Sequence, residues 1–282
     1  MRNRSFGASG NSLSAEIPVD KRAGHSVSRM KISIVTLSFN QGAYLRQAIE
    51  SVLQQGYADL EYIIVDPGST DGSRELIQGY SASLSRVIFE PDCGAADGLN
   101  KGFSRATGEV FGFLNADDLL MPGALCQVAD LFHRDPLVDL AFGNGFVIDG
   151  SGLKLRHYRA RGFTARRYFY GGAQWLQQST FFRSGAFLRS EGFNTANKTC
   201  WDGELFLTMV GRGARVGYID SDLAAFRIHQ GSISGSSRMA QQFKSDWRRI
   251  FRQVQGRDWT LIDDLRRIAG RAAGFISRIS AR

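Results

Sequence analysis

The sequence predicts an α/β protein with a mostly parallel sheet flanked by helices, a smaller mixed α+β second half and C-terminal amphipathic helices. Three observations support this class. Apolar, β-branched runs alternate with helically spaced apolar positions from Lys31 onward, and this alternation favours parallel, right-handed βαβ units. After Asp139 the alternation gives way to a hairpin pattern. Two apolar stripes at helical spacing follow beyond residue 236.

Four short apolar runs predict the strands of the first half, starting at Ile32 and then covering 60–66, 86–90 and 110–114. Helices are predicted after Gln41-Gly42, around Glu75, over 95–106, and from Met121-Pro122 onward. In the second half, 142–148 and 153–158 flank a turn of Asp, Gly and Ser residues, which predicts a hairpin. A strand at 177–182, a helix at 202–210 and a strand at 215–228 complete this half.

These elements divide the chain into a disordered leader (1–29), one domain (30–236) and a helical tail (237–282). Within the domain, 30–120 and 121–236 form two halves around one core. The 282 residues are 43% hydrophobic, which is enough for one large domain. No apolar run approaches the ~20 residues that span a bilayer. Three scattered cysteines give neither a disulfide framework nor a zinc spacing, which favours a cytoplasmic protein.

The net charge of +8 is concentrated at the two ends of the chain. Residues 1–31 carry +4 and residues 237–282 carry +7, with eleven Lys/Arg against four acids, so the middle is slightly acidic. No nucleic-acid-binding signature accompanies this basicity. The tail is therefore interpreted as a basic arm for an anionic membrane surface, placing the protein peripherally on the inner face of the cell membrane. Packing of the tail onto the core is the alternative.

Acidic side chains follow several predicted strands, where the ligand crevice of an open α/β sheet lies. Asn115, Asp117 and Asp118 follow the fourth strand, and paired carboxylates there suit Mg²⁺ or Mn²⁺. Capping of the next helix is the alternative interpretation of this pair. The other acids at strand ends, loops or helix starts are Asp66, Asp92, Asp97 and Asp202. Such acids suit ribose hydroxyls, a base N–H and a metal–diphosphate, whereas the G-x-G-x-x-G and Walker A patterns are absent.

Several ordered motifs resemble those of bacterial family 2 glycosyltransferases, which have the GT-A fold, a Rossmann-like sheet, and build polysaccharides. The similarity spans about 32–230. It is carried by Thr36-Leu37-Ser38-Phe39-Asn40-Gln41, Val65-Asp66-Pro67-Gly68-Ser69-Thr70-Asp71-Gly72-Ser73, Glu90-Pro91-Asp92, Asn100-Lys101-Gly102, Asn115-Ala116-Asp117-Asp118, Cys200-Trp201-Asp202-Gly203-Glu204-Leu205 and Arg227-Ile228-His229.

The resemblance implies a role for each matching position. Asp202 is the expected general base of an inverting transfer, and Asp117 with His229 is the expected ligand set for Mn²⁺ or Mg²⁺. The positions expected to bind the nucleotide-sugar are Leu37, Ser38, Phe39, Asp66, Asp97 and Asn115. Three residues depart from the family pattern: Asn115 replaces an Asp, Pro67 follows Asp66, and Trp201 stands where Glu often precedes the base, which leaves Glu204 as the second candidate.

Each assigned residue has a structural alternative. Asp66 is also a turn former, Asp97 and Asp202 are also helix caps, and His229 is also a solvated strand-end residue. The six Lys/Arg at 154–167 are interpreted as a solvated face, with an anionic-acceptor site as the alternative.

The expected function is transfer of a sugar, from a UDP-sugar by preference, to a saccharide or lipid-linked saccharide hydroxyl. Two other classes remain open: a sugar nucleotidyltransferase and a non-catalytic nucleotide-sugar binding protein. The first lacks its expected basic phosphate loop after the first strand, and the second is favoured only by Asn115 and Trp201. The sequence leaves open the donor sugar, the acceptor, the linkage and the oligomeric state.

Overall fold

The computed structural model describes residues 30–229 and 239–279, so the predicted leader at 1–29 lies outside the described residues. The strands in these ranges are β1 (Ile32–Leu37), β2 (Leu60–Val65), β3 (Arg86–Ile88), β4 (Val110–Asn115), β5 (Leu119–Leu120), β6 (Leu140–Ile148), β7 (Lys154–Tyr158), β8 (Thr180–Arg183) and β9 (Val216–Arg227). The helices are α1 (Gly42–Leu53), α2 (Ser73–Gly79), α3 (Ala95–Phe103), α4 (Ala124–Arg134), α5 (Ala165–Tyr170), α6 (Ser184–Arg189), α7 (Trp201–Gly211), α8 (Ala240–Gln255) and α9 (Leu261–Ile279). Short 3-10 turns cover Ser81–Ser83 and Gln177–Ser179.

All the described strands join one sheet in the order β3-β2-β1-β4-β8-β6-β9-β5, with β7 paired to β6. The first four strands in chain order are parallel to one another, as the βαβ alternation predicts. The second half is mixed, because β8 runs antiparallel to both β4 and β6 while β6 and β9 are parallel. The predicted α/β class is confirmed, and β8 joins the two halves into one sheet.

The strands β1, β2 and β4 are buried on both faces, and their alternate side chains enter different cores. Ile34 and Ile64 pack with α1 and α4 on one face, whereas Val35 and Ile63 pack on the other with α3 and α7. Because successive strand side chains point to opposite faces, a continuous apolar run supplies both cores at once. This arrangement fixes the carboxyl ends of β1 and β4 side by side.

The segment after Asp117-Asp118 differs from its prediction. A helix was expected from Met121-Pro122, but Leu119 and Leu120 form a strand paired with β9, and α4 begins only at Ala124. The preceding Gly123 has a φ of 76°, a left-handed conformation that glycine adopts without steric cost. The partner in β9 lies about a hundred residues further along the chain, so local spacing alone does not indicate this pairing.

The first C-terminal helix, α8, packs on the core. In α8, Ile250 and Phe251 are buried, and Trp247 stacks on Tyr168 with ring centroids 4.9 Å apart. Packing onto the core therefore describes α8. Across 30–229 and 239–279, no helix has the length and apolar character needed to cross a bilayer.

Candidate active site

A cavity of about 790 Å³ opens at the carboxyl ends of β1 and β4. Both halves of the chain contribute to its lining. The first half supplies Leu37, Phe39, Gln41, Pro67, Pro91, Asp92, Gly94, Ala95, Asn115, Ala116 and Asp117. The second half supplies Trp175, Leu176, Gln177, Gln178, Thr199, Trp201, Asp202 and Phe226. The cavity therefore lies where the ligand crevice of such a sheet is expected.

At the carboxyl end of β1, some residues line the cavity and one is buried beneath it. Leu37 and Phe39 line the cavity, and 57% of the Phe39 surface is exposed. Ser38 lies between them and is buried, and its hydroxyl has no hydrogen-bond partner among the described residues. An aromatic face held in solvent beside an apolar wall suits stacking of a planar ring.

Asp66 is buried at the end of β2, directly before the lining residue Pro67. Its carboxylate accepts hydrogen bonds from the backbone N–H groups of Gly68 and Ser69 and from Nε of Arg74, at 3.0, 2.8 and 3.1 Å. Burial raises the pKa of Asp66, but the hydrogen bonds from Ser69, Arg74 and Gly68 outweigh it and hold the pKa below its usual value. Asp66 is therefore an ionised residue that organises the turn, and it does not itself line the cavity.

The loop before α3 carries two acids with different surroundings. Asp97 accepts hydrogen bonds from the backbone N–H of Cys93 and from Nζ of Lys101, at 3.0 and 2.9 Å, and it does not line the cavity. Asp92 does line it, and burial raises the pKa of Asp92. The structure therefore brings Asp92, and not Asp97, to the cavity. The expected ribose contact of Asp97 has no geometric support.

A buried polar network supports the end of β4. Asn115 Nδ2 donates to Asp118 Oδ2 and to Gln177 Oε1, at 3.0 and 3.2 Å, and Gln178 Nε2 donates to Asp118 at 2.7 Å. Asp118 is fully buried, and burial together with the charge of Asp117 raises the pKa of Asp118 well above its usual value. Asp118 therefore stabilises the turn between β4 and β5, and it does not cap helix α4. Gln177 and Gln178 also line the cavity, and they are further functional candidates.

Asp117 faces the cavity and meets His229 from the end of β9. Their side chains lie 3.0 Å apart, measured from Oδ2 to Nε2, and both are largely buried. Within the described residues, no group of three or more His, Cys, Asp or Glu side chains could hold a metal ion. Mg²⁺ is commonly held by one or two carboxylates together with substrate phosphates and water. The Asp117–His229 pair fits a cation shared with a bound diphosphate, and not a cation held by protein ligands alone.

Arg227 supports Asp117 from the buried side; the sequence places it in the Arg227-Ile228-His229 motif but gives it no role of its own. Its side chain is 1% exposed. Nε donates to the carbonyl oxygen of Asp117 at 2.7 Å, Nη2 donates to Gln47 Oε1 at 2.8 Å, and Nη1 donates to the carbonyl oxygens of Asp149 and Gly150. The guanidinium group thus ties the β4–β5 turn to α1 and to the β6–β7 hairpin.

Asp202 lies in the first turn of α7, on the wall supplied by the second half of the chain. The residue before the helix is Cys200, so Asp202 is not the N-cap. Burial raises the pKa of Asp202 to about 6, and the carboxylate accepts one hydrogen bond, from the N–H of Gly203. Glu204, the second candidate base, is instead held by Arg249 in two hydrogen bonds of 2.6 and 2.7 Å and is absent from the cavity lining.

Asp117 and Asp202 line one strand-end cavity, and His229 contacts Asp117 without lining the cavity itself. A sheet of this order with its cavity at the strand ends is that of a GT-A-like glycosyltransferase. The family profile described as glycosyl transferase family 2 matches residues 33–188, and the chain belongs to this family. The predicted family and the predicted enzyme class are thereby confirmed.

Curated relatives agree with the family assignment. An uncharacterised glycosyltransferase of Nostoc sp. is 40% identical over 129 residues, which is 43% of this chain and 40% of the relative. TuaG of Bacillus subtilis, whose name proposes a role in teichuronic acid biosynthesis, is 40% identical over 90 residues, 31% of this chain and 36% of TuaG. The matches therefore span less than half the length of these relatives.

Solved structures share the fold at low sequence identity. TarS of S. aureus (residues 1–349), in complex with UDP-GlcNAc, superposes with a TM-score of 0.65 at 17% identity, covering 86% of this chain and 71% of TarS. A mannosyltransferase from Pyrobaculum calidifontis, in complex with GDP-Man and Mn²⁺, gives a TM-score of 0.60 at 18% identity, covering 93% and 79%. These similarities establish the GT-A-like fold.

Proposed function

We propose that the chain transfers a sugar from a nucleoside diphosphate donor to an acceptor hydroxyl, with inversion at the anomeric carbon. The observation that carries the proposal is that Asp117 and Asp202 line one cavity from different halves of the chain. One wall offers groups for a metal–diphosphate, and the other offers a base. This arrangement separates the leaving group from the attacking group, as a single displacement requires.

The donor is proposed to bind along the first-half wall. Its base and ribose lie between Phe39, Pro67 and Asp92, with Asp66 and Ser38 holding the loops beneath them. Its diphosphate lies at Asp117 and His229. A UDP-sugar is the first candidate because TarS has the same fold in a complex with UDP-GlcNAc. A GDP-sugar is the second, since the mannosyltransferase has this fold with GDP-Man.

In the reaction, the acceptor oxygen forms a bond to the anomeric carbon while the bond from that carbon to the diphosphate oxygen breaks. The electron pair of the broken bond leaves with the diphosphate. Asp202 accepts the proton of the acceptor hydroxyl as general base, because its carboxylate is ionised above about pH 6 and has one hydrogen bond to give up. Asp117 and His229 would hold Mn²⁺ or Mg²⁺, which would supply positive charge to stabilise the leaving diphosphate.

The acceptor is proposed to be a saccharide or a lipid-linked saccharide in cell-surface polysaccharide or glycolipid assembly. The support is membership of family 2 and the teichuronic acid role that the name of TuaG proposes. Thr199 and Trp201 stand beside Asp202 in the lining, so the acceptor hydroxyl lies next to them.

A donor panel tests the proposal. The full chain is incubated with UDP-, GDP- and dTDP-sugars in the presence of Mn²⁺, and release of nucleoside diphosphate is measured. The control is the Asp202→Asn variant prepared in the same way, which removes contaminating activity from the comparison. Release by the wild type that the variant lacks supports the proposal. Equal release by both proteins overturns the role of Asp202, and no release from any donor overturns the assignment of donor class.

A further inference from the structure

Helix α9 packs against the core with its polar side, which is the reverse of the usual arrangement. Asp263, near its start, is fully buried and accepts hydrogen bonds from both Nη atoms of Arg257 and from the hydroxyl of Tyr170. Further along, Gly270 lies so close to the carbonyl oxygen of Tyr170 that a Cβ atom there would clash. Asp263 and Gly270 are seven positions apart and therefore lie on one face.

The apolar side of α9 faces outward. Leu261, Leu265 and Ile268 are 82%, 66% and 66% exposed, and Ile262 beside them is 60% exposed. The spacing of 261, 265 and 268 places these three side chains in one row. The sequence continues the same spacing at Ala272. We call these four exposed residues, Leu261, Ile262, Leu265 and Ile268, the α9 apolar face.

Exposure of the α9 apolar face to water is unfavourable, and the packing of α9 on the core does not remove this exposure. Burying one Leu or Ile side chain contributes about 1.5–3 kcal/mol, and the protein could bury this row simply by turning the helix over. The contacts of Asp263 and Gly270 prevent that rotation. A contiguous apolar surface held outward in this way marks an interaction site.

The charges around the face indicate its partner. Arg266 follows Leu265 directly; its side chain is 58% exposed, and its Nη1 lies 3.6 Å from a carboxylate oxygen of Asp263. Arg267 lies over the ring of Trp247 at 5.2 Å, and the acidic residue Asp264 is exposed beside Leu265. Residues 237–282 as a whole carry eleven Lys/Arg against four acids. An exposed apolar row on a helix within a segment of net positive charge is the pattern of a helix that lies in the plane of a membrane interface and binds anionic lipids.

We propose that α9 docks the protein on an anionic lipid bilayer, with the α9 apolar face inserted among the acyl chains and the net positive charge of residues 237–282 attracting the anionic headgroups. The docked helix is joined to the catalytic wall through α8. Asp246 of α8 accepts hydrogen bonds from the N–H of Lys198 and the hydroxyl of Thr199, and Arg249 holds Glu204. Docking therefore fixes the wall that carries Asp202 relative to the bilayer.

Vesicle flotation of the full chain tests the proposal, using phosphatidylcholine vesicles with and without phosphatidylglycerol. The test variant is Leu261→Ser/Leu265→Ser/Ile268→Ser. The matched control is Leu137→Ser/Leu153→Ser/Leu188→Ser, which replaces three leucines of similar exposure (63%, 64% and 72%) elsewhere on the surface. We expect the wild type and the control to float with phosphatidylglycerol vesicles and the test variant to lose at least about tenfold in partitioning. Circular dichroism verifies that all three proteins are folded.

Several outcomes would overturn the proposal. The first is a wild type that does not float with phosphatidylglycerol vesicles, and the second is equal flotation of wild type and test variant. A wild-type dimer in sedimentation velocity that the test variant cannot form, together with no flotation, assigns the face to a second copy of the chain instead. If the triple variant does not fold, Leu261→Asp at the most exposed position serves as the second test. Flotation is measured without donor or acceptor, so its failure does not depend on the proposed transfer reaction.

Discussion

Nε of Arg227 donates a 2.7 Å hydrogen bond to the carbonyl oxygen of Asp117, so the proposed metal ligand is held from its backbone by a buried arginine. The N–H of Arg227 also donates to Asp118 Oδ1 at 2.8 Å. The ring of Tyr44 covers the guanidinium group, with Cζ 4.8 Å from the ring centroid, and Tyr44 also lies against His229. Arg227 thus contacts Asp117 directly and His229 through the ring of Tyr44, so one side chain helps to position both proposed metal ligands.

We predict that Arg227→Lys lowers the free energy of unfolding by about 1–3 kcal/mol and also reduces metal-dependent turnover. Lysine keeps the charge but cannot bridge several acceptors, so buried carbonyl groups lose their donors. Urea unfolding and nucleoside diphosphate release measure the two effects. Arg183→Lys is the matched control, because Arg183 also donates to two carbonyl oxygens and covers a ring, that of Phe132, away from the cavity. Equal loss of turnover in both variants would show that Arg227 acts through stability alone.

The fold was largely predictable because its first half depends on local patterns. Continuous apolar runs indicate β1, β2 and β4, and the alternation with helices indicates their parallel arrangement. The strand β5 was not predictable, since Leu119 and Leu120 adopt it only through pairing with distant Ala224 and Ala225. The apolar stripe of α9 left both an outward and an inward orientation open, because the contacts of Asp263 that decide between them are not visible in the spacing.

The sequence places Asp117 and Asp202 in one crevice, and both line the cavity, while their roles stay predictions. The choice of Asp97 over Asp92 overlooked a local signal: Lys101 stands four positions after Asp97, the spacing of a surface ion pair on a helix. The motif includes Arg227, but its burial was not predicted, because arginine is mostly exposed and sequence alone does not indicate that one is buried. The position of Asp97 and the burial of Arg227 both depend on which neighbouring groups pair with the charged side chain.

We predict that turnover rises about tenfold per pH unit below pH ~6 and levels off above it, because Asp202 accepts a proton only when ionised. Asp202→Asn lowers turnover on the order of 10²–10⁴-fold while donor binding persists. Asp130→Asn, at an exposed position of α4, is the control. Rates measured across this pH range with saturating donor test the assignment, and a profile unchanged in Asp202→Asn contradicts it.

We predict that Asp202→Asn stabilises the fold although it lowers turnover. The pKa of folded Asp202 lies above its usual value, so this group favours folding fully below pH ~4 and loses that contribution as the pH rises through about 6. Asp202→Asn removes the buried charge and raises the free energy of unfolding at pH 8, on the order of 1 kcal/mol. Urea unfolding at pH 8 measures the change. A destabilised variant would indicate that the carboxylate makes contacts which the structure does not contain.

We predict that EDTA abolishes nucleoside diphosphate release and that Mn²⁺ or Mg²⁺ restores it. His229→Ala raises the Mn²⁺ concentration for half-maximal rate by about tenfold or more, because one of two protein ligands is lost. His157→Ala is a matched control, since His157 also pairs with an aspartate, Asp222, at 2.6 Å. Metal titrations of the three proteins test this role. Full activity in EDTA would contradict it.

Finally, we predict that Arg249→Met lowers the free energy of unfolding at pH 7 by about 3–5 kcal/mol, because it leaves the buried carboxylate of Glu204 without its cation. Burial raises the pKa of Glu204, and the hydrogen bonds from Arg249 and neighbouring amides outweigh it, so the pKa is lowered. The wild-type pair therefore stabilises the fold above pH ~4.3 and loses this contribution as the pH falls through the lower folded-state pKa. Arg252→Met is the control, because the Arg252–Asp258 pair is exposed and contributes about 0–1 kcal/mol. Urea unfolding at pH 7 and at acidic pH measures both variants, and we expect their free energies of unfolding to converge as Glu204 is protonated. Equal free energies of unfolding at pH 7 would mean that α8 does not hold α7 through the Arg249–Glu204 pair.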